Sequence, residues 1–124
     1  MEGHPMKPRC ETKEIPKPWG REILLGKPDR YVLKMLEVKK GCSLSLQFHR
    51  KKRETLYFLS GLADMQFGKR NFAAKPGEFV VVEPGTVHRI TARKLTKILE
   101  ASTPELDDVV RLKDDYGRIP AKAH

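Results

Sequence analysis

A chain of 124 residues is long enough for one compact core and too short for two ordinary domains. With 39% hydrophobic and 33% charged residues, and no apolar run of bilayer length, the composition excludes a disordered chain and a helical membrane span. Lys and Arg outnumber Asp and Glu by 25 to 16, a net charge of +9 that favours an anionic partner without choosing between a phosphate ester and a nucleic acid.

Residues 1–12, mixed in charge and proline-bearing, read as a flexible leader. They lack the apolar core of a secretory signal, so the cytoplasm is the expected location and no membrane partner is expected. Cys10 and Cys42 have no paired spacing and read as two reduced thiols. Turn-forming pairs recur at Lys40-Gly41, Ser60-Gly61, Phe67-Gly68, Pro76-Gly77 and Pro84-Gly85, with segments rich in Val, Leu, Phe and Tyr between them. Strands are predicted near 21–25, 31–38, 43–49, 55–60, 62–67, 78–83, 87–92 and 95–101. No segment from 20 to 100 keeps a helical period over three turns, so the fold class is all-β, a sandwich or barrel. Thr103, Pro104 and the acids after them offer a helix start, so "TPELDDVVRLKD" is expected as a short C-terminal helix or an extended excursion. A single domain over 13–118 and a loose tail over 119–124 complete the expected organisation.

The segment "GCSLSLQFHRKKRETLYFLSG", 41–61, sets Gln47, His49 and Glu54 on apolar, strand-like sequence, where each costs free energy to bury unless paired. Strand alternation puts Gln47 and His49 on one face with Ser45, and Leu44, Leu46 and Phe48 on the other. If "RKKR" is a hairpin connection, Glu54 returns beside His49 on the neighbouring strand. His88 opens a later strand after the turn in "PGTVHRI". Singly, each of these residues reads as solvated or satisfied by backbone. Together, two imidazoles, a carboxylate and an amide oxygen make a mixed nitrogen and oxygen site suited to a divalent first-row metal, with Zn, Mn, Fe, Co and Ni undistinguished.

The joint spacing G-x5-Q-x-H-x4-E-x6-G from Gly41, then G-x7-G-x2-H from Gly77, resembles the two cupin motifs, with Gln47 where many cupins have their first His. The resemblance implies a small double-stranded β-helix, a jelly-roll barrel with its metal inside. "KPWGRE" at 17–22, "LSLQFH" at 44–49, "SGLA" at 60–63, "PGTVHR" at 84–89 and "DDVVRLKDDYGR" at 107–118 are similar to the C-terminal cupin domain of type II mannose-6-phosphate isomerases. In that family the domain usually follows a nucleotidyltransferase domain that makes GDP-mannose, an activity not expected of this chain. The family pattern continues past the ligand His with a second His, an Arg, the Glu and a Trp; here those places hold Lys51, Lys52, Glu54 and Leu56. Arg53 sits one residue from the arginine position. In the second motif the proline falls one residue late, at Pro84, and Ala92 replaces the usual Asn.

The resemblance implies a metal-dependent aldose–ketose isomerase acting through an enediolate, with a small sugar phosphate as partner. Gln47, His49, Glu54 and His88 are the expected metal ligands, Arg53 and Arg111 the catalytic candidates, and Arg50, Lys52 and Arg89 the substrate-binding candidates at the mouth. Lys34 and Tyr57 are candidate proton acceptors without a preference between them, and Tyr116 and Arg118 are further candidates to reach the site. A four-cation turn is ordinarily solvated, and with no aromatic residues to stack bases a nucleic-acid partner is not expected. Trp19 reads as a packing plug. A non-catalytic sugar- or metabolite-binding cupin, or a cupin oxygenase, is the alternative. A homodimer is expected, because Leu44, Leu46 and Phe48 need cover.

Overall fold

The computed structural model describes residues 11–119. They form β1 (Lys13–Lys17), β2 (Gly20–Gly26), β3 (Val32–Val38), β4 (Leu46–Phe48), β5 (Glu54–Ser60), β6 (Ala63–Phe67), β7 (Arg70–Ala74), β8 (Phe79–Val82), β9 (His88–Ala92), β10 (Thr96–Ser102) and β11 (Val110–Lys113). Two antiparallel sheets face each other, in the orders β1-β2-β3-β10-β5-β8 and β11-β4-β9-β6-β7. The expected all-β barrel is what forms. Cys10, the start of the leader and most of the tail lie outside the described residues.

Period-two alternation decides what faces inward. Val32, Leu36 and Val38 of β3, Leu56 and Phe58 of β5, and Ile98 of β10 are buried from one sheet; Ala63, Met65, Ile90 and Ala92 are buried from the other. Trp19 is buried in this core, as its packing role requires. The inward rows are not uniformly apolar. Phe58 pairs with Ile98, and Ile98 with Leu36, but nearer the other end Leu56 pairs with Glu100, Glu100 with Lys34, and Glu54 with Ser102. One end of the interior is therefore a hydrophobic core and the other a buried polar chamber.

The segment 103–109 turns rather than coiling into a helix, and leads into β11, so the extended alternative holds. β11 pairs with β4 and aligns Arg111 with Gln47. The "RKKR" segment is not a hairpin turn either: β4 and β5 belong to different sheets, so residues 49–53 cross between them. The crossover lets one continuous stretch of chain supply groups to the chamber from both walls.

Glycine matters most at two turns. Gly61 has φ +93°, and a Cβ there would lie 2.3 Å from the Leu95 carbonyl oxygen, so only glycine fits. Gly85 has φ +86°, and its amide donates to the His49 carbonyl at 2.7 Å, tying the turn before His88 to the end of β4.

On the outer face of the six-stranded sheet, Ile23, Met35, Leu99, Tyr57 and Phe79 align in register across five strands. Tyr57 and Phe79 are exposed, Phe79 by 63% on the edge strand β8.

Candidate metal centre

Three buried side chains, His49, Glu54 and His88, place one ligand atom each within 4.8 Å of one another. His49 follows β4, Glu54 opens β5, and His88 opens β9, so the group draws on both sheets. His49 Nδ1 lies 2.6 Å from the Asp108 carbonyl oxygen and His88 Nδ1 lies 2.9 Å from the Thr86 carbonyl oxygen. A carbonyl only accepts, so each Nδ1 carries the hydrogen and, in the neutral ring, each Nε2 is bare. Those bare nitrogens face the two oxygens of one carboxylate: His49 Nε2 is 3.6 Å from Glu54 Oε1, and His88 Nε2 is 3.5 Å from Glu54 Oε2.

Acceptor against acceptor in a dry interior is unfavourable unless a proton or a cation lies between them. His49 Nε2 is fully buried and has no hydrogen-bond partner among the described residues. Burial pushes the Glu54 carboxyl up, but His49, His88 and the Lys52 charge outweigh it and hold the group well below the ordinary carboxylate range, so it is an anion. Two ligand atoms bound about 2.1 Å from one ion are separated by about 3.0–3.4 Å in octahedral or tetrahedral sites. The observed separations are close to that, and the donor set fits a divalent first-row metal.

Gln47 lines the same chamber and pairs with His88 across β4 and β9. Its Oε1 accepts a hydrogen bond from the buried Ser45 hydroxyl at 2.5 Å, which leaves one lone pair. Sequence spacing thus brings all four expected ligand candidates to one chamber.

The chamber is a cavity of about 250 Å³, slightly below the usual size range for small-molecule sites. Lys34, Lys52, Arg89, Arg111 and Arg118 line it together with Glu22 and Glu100. Lys52 departs from its expected place on the rim: it is 6% exposed, with Nζ 3.2 Å from Glu54 Oε1 and 3.6 Å from Glu100 Oε2. Burial works against its charge, but Glu100 and Glu54 outweigh that and push the ammonium up. Arg50 and Arg53 do not line the chamber. Arg50 is exposed, its guanidinium over the Phe48 ring, and Arg53 pairs with Glu83 at 2.6 Å on the surface. The reason is the strand crossover, which turns only Lys52 of the four cations inward.

Arg89 donates from Nε to the Leu44 carbonyl and pairs with Asp115. Arg118 is held by Asp114 through two contacts of 2.8 Å. Arg111 differs: its buried Nε has no partner among the described residues, and burial followed by the Arg118 charge pushes its guanidinium down. Of the candidate proton acceptors, Lys34 lines the chamber with Nζ 3.4 Å from Glu22, while Tyr57 stands on the outer face.

Two important residues escaped sequence reading. Asp108 is not among the sequence candidates, yet its carboxylate accepts from the backbone amides of Arg50, Lys51 and Lys52 at 2.6–3.0 Å while its carbonyl orients His49. Glu100 is buried, and its Oε2 has no hydrogen-bond partner among the described residues. Alternation in "KILEAS" would have found Glu100, two residues from the buried Ile98, whereas nothing local signals Asp108.

Comparison with known proteins agrees with this architecture. The family model for the mannose-6-phosphate isomerase C-terminal domain matches residues 7–114. The alginate biosynthesis protein AlgA of Pseudomonas aeruginosa is 29% identical over 93% of this chain and 26% of its own length. A mannose-1-phosphate guanylyltransferase of Escherichia coli K12 is 30% identical over 86% of this chain and 23% of its own. The chain thus spans about a quarter of the length of the curated relatives it matches. Among solved structures, an RmlC-like cupin from Shewanella frigidimarina superposes with a TM-score of 0.71 at 13% identity, covering 78% of this chain and 87% of that one. KdgF from Halomonas sp. superposes with a TM-score of 0.68 at 12% identity, covering 79% and 91%. These two likenesses concern the fold. With the family model matched over most of its length, the chain belongs to the mannose-6-phosphate isomerase C-terminal family and has the cupin fold.

Proposed function

We propose that His49, Glu54 and His88, with Gln47, hold one divalent metal ion, and that the protein is a metal-dependent sugar-phosphate isomerase of the mannose-6-phosphate type. The observation that carries this reading is the pair of imidazoles fixed through Nδ1 so that both bare Nε2 atoms face the Glu54 carboxylate. A bound divalent ion would supply a fixed positive charge for the oxygens on which an enediolate gathers its charge.

The other roles belong to the chain's own residues. Arg111, which lines the chamber and whose Nε has no partner among the described residues, is suited to the phosphate, and Arg89 adds charge to the same lining. Lys52 holds Glu54 and Glu100 in place. His49, Lys52, Glu54, His88 and Glu100 are all buried on the chamber wall, which strengthens the interactions among them. Only this domain-level reading is carried over from the relatives, since the chain aligns with about a quarter of each. A cytoplasmic place of action and a homodimer go with the proposal.

A second reading, a non-catalytic sugar-phosphate-binding module, is favoured by one observation. Where the family has its second His and its Arg, this chain has Lys51 and Lys52, and Arg53 beside them turns outward to Glu83. A coupled assay of the metal-loaded full chain with mannose 6-phosphate separates the two. The isomerase reading expects turnover that chelation abolishes and added metal restores. Binding of the sugar phosphate with no turnover establishes the second reading instead, and turnover that survives complete chelation removes the metal from the account.

A further inference from the structure

The chamber holds more buried charge than a metal site uses. Beyond His49, Glu54 and His88, its wall carries Glu100 on β10, joined to Glu54 through Lys52, and Lys34 on β3 paired with Glu22 on β2. Burying charged groups is costly even when they are paired, so Lys34, Lys52 and Glu100 inside a barrel of this size, in addition to Glu54, call for a use beyond stability.

Their pairing singles out one group. Lys52 lies between two carboxylates that push its ammonium up, so it has no free lone pair to take a proton, and Lys34 Nζ is engaged by Glu22 at 3.4 Å. Glu22 is engaged by Lys34 and by Lys17 at 3.7 Å. Glu54 is committed to the two imidazoles. Glu100 remains: it is 5% exposed, it lines the cavity, and its buried Oε2 makes no hydrogen bond, with Lys52 Nζ 3.6 Å away. The same ammonium touches Glu54, so Glu100 lines the same cavity as the three metal-ligand candidates and is one lysine away from them.

We propose that Glu100 is the catalytic base that moves the proton between C1 and C2 of the sugar phosphate; this assignment rests on the isomerase reading above. In the forward direction the Glu100 carboxylate takes the proton from C2 of the open-chain aldose. The C2–H electron pair becomes the C1=C2 bond, and the carbonyl pair moves onto O1. A proton then passes from the O2 hydroxyl to O1. As the O2 pair reforms a carbonyl at C2, the C1=C2 pair takes the proton back from the Glu100 carboxylic acid at C1. The ketose results, the base is regenerated, and no outside oxidant or reductant enters. Burial, then the Glu54 charge, pushes the Glu100 carboxyl up against the opposing pull of Lys52, which suits a carboxylate that must accept a proton from carbon.

The test uses the full chain, loaded with a divalent metal, and mannose 6-phosphate in deuterated water. The wild type is expected to isomerise the sugar and to place solvent deuterium on C1 and C2. Glu100→Gln is expected to lower both turnover and deuterium uptake by at least about 100-fold, with metal content and sugar-phosphate affinity kept within about twofold. Should the Gln variant fail to fold or to hold metal, Glu100→Asp keeps the charge beside Lys52 while withdrawing the oxygen by one methylene. It is expected to lose uptake by at least about 10-fold. Either folded variant exchanging and turning over at the wild-type rate overturns the role of Glu100 and leaves the isomerase reading standing. A metal-loaded wild type that binds the sugar phosphate but neither turns it over nor exchanges overturns the isomerase reading, and this assignment with it.

Discussion

Asp108 clamps His49 from 59 residues away: its carbonyl fixes the Nδ1 hydrogen of the imidazole, while its carboxylate gathers the next three backbone amides. Groups that orient a ligand from behind typically matter 10–100-fold to metal affinity. Asp108→Ala keeps that carbonyl but removes the carboxylate that ties it to the crossover, so it is expected to weaken metal binding by about 10-fold, the lower end of that range, with the barrel still folded, measured by titration of metal-free protein. Unchanged affinity would show that the crossover holds His49 without help.

The same carboxylate makes stability depend on acid. Hydrogen bonds from the amides of Lys51 and Arg50, then Lys52, hold the Asp108 carboxyl at about 2 in the folded protein, against an ordinary 3.8. Its contribution is full above roughly pH 4 and is lost as the pH falls from there through 2, where the folded form also takes up the proton. Urea unfolding of the wild type and Asp108→Asn between pH 5 and 2 should show two curves converging as the pH falls. A stability difference that stays constant or widens would contradict this.

Lys52 is the counter-charge for two enclosed carboxylates, Glu54 and Glu100. Removing one partner of a buried pair leaves its charge uncompensated, so Lys52→Met is expected to destabilise the fold by about 3–5 kcal/mol. Adding Glu100→Gln should recover part of the loss, because one stranded charge is gone. Equilibrium unfolding measures both, and additive losses in the double variant would show that Lys52 and Glu100 do not interact.

The proposed homodimer has a different face from the one the sequence suggested. Leu44 packs against the core rather than outward, while the exposed row ending at Tyr57 and Phe79 runs to the edge strand β8, the kind of edge that proteins usually cover. Phe79→Glu is expected to convert a sedimenting dimer to a monomer. A wild type that sediments as a monomer at high concentration removes the dimer from the account.

Much of the site was legible because its residues stand at turns. His49, Glu54 and His88 each sit at or just past a strand end, and Gly85 joins the turn before His88 to the His49 carbonyl, so spacing along the chain survives into space. What the sequence hid depends on pairing between distant segments. Pro16 disguised β1, which tolerates it because β1 is an edge strand with one hydrogen-bonding side unused. "RNFAA" hid β7 because most of its side chains are exposed. Pro104 and the acids after it imitated a helix start, but residues 106–109 instead bend to bring Asp108 to the crossover. Lys52 looked like its three solvated neighbours because no local pattern tells which residue of a crossover turns inward.

Elemental analysis of purified full-length chain, followed by titration of the stripped protein with zinc, manganese and iron(II), tests the central claim most directly. The account predicts one divalent ion per chain in the wild type, with His49→Ala and His88→Ala each losing it while still folded. A stripped, folded wild type that takes up none of these ions, or a variant lacking both imidazoles that binds one as tightly, would contradict it.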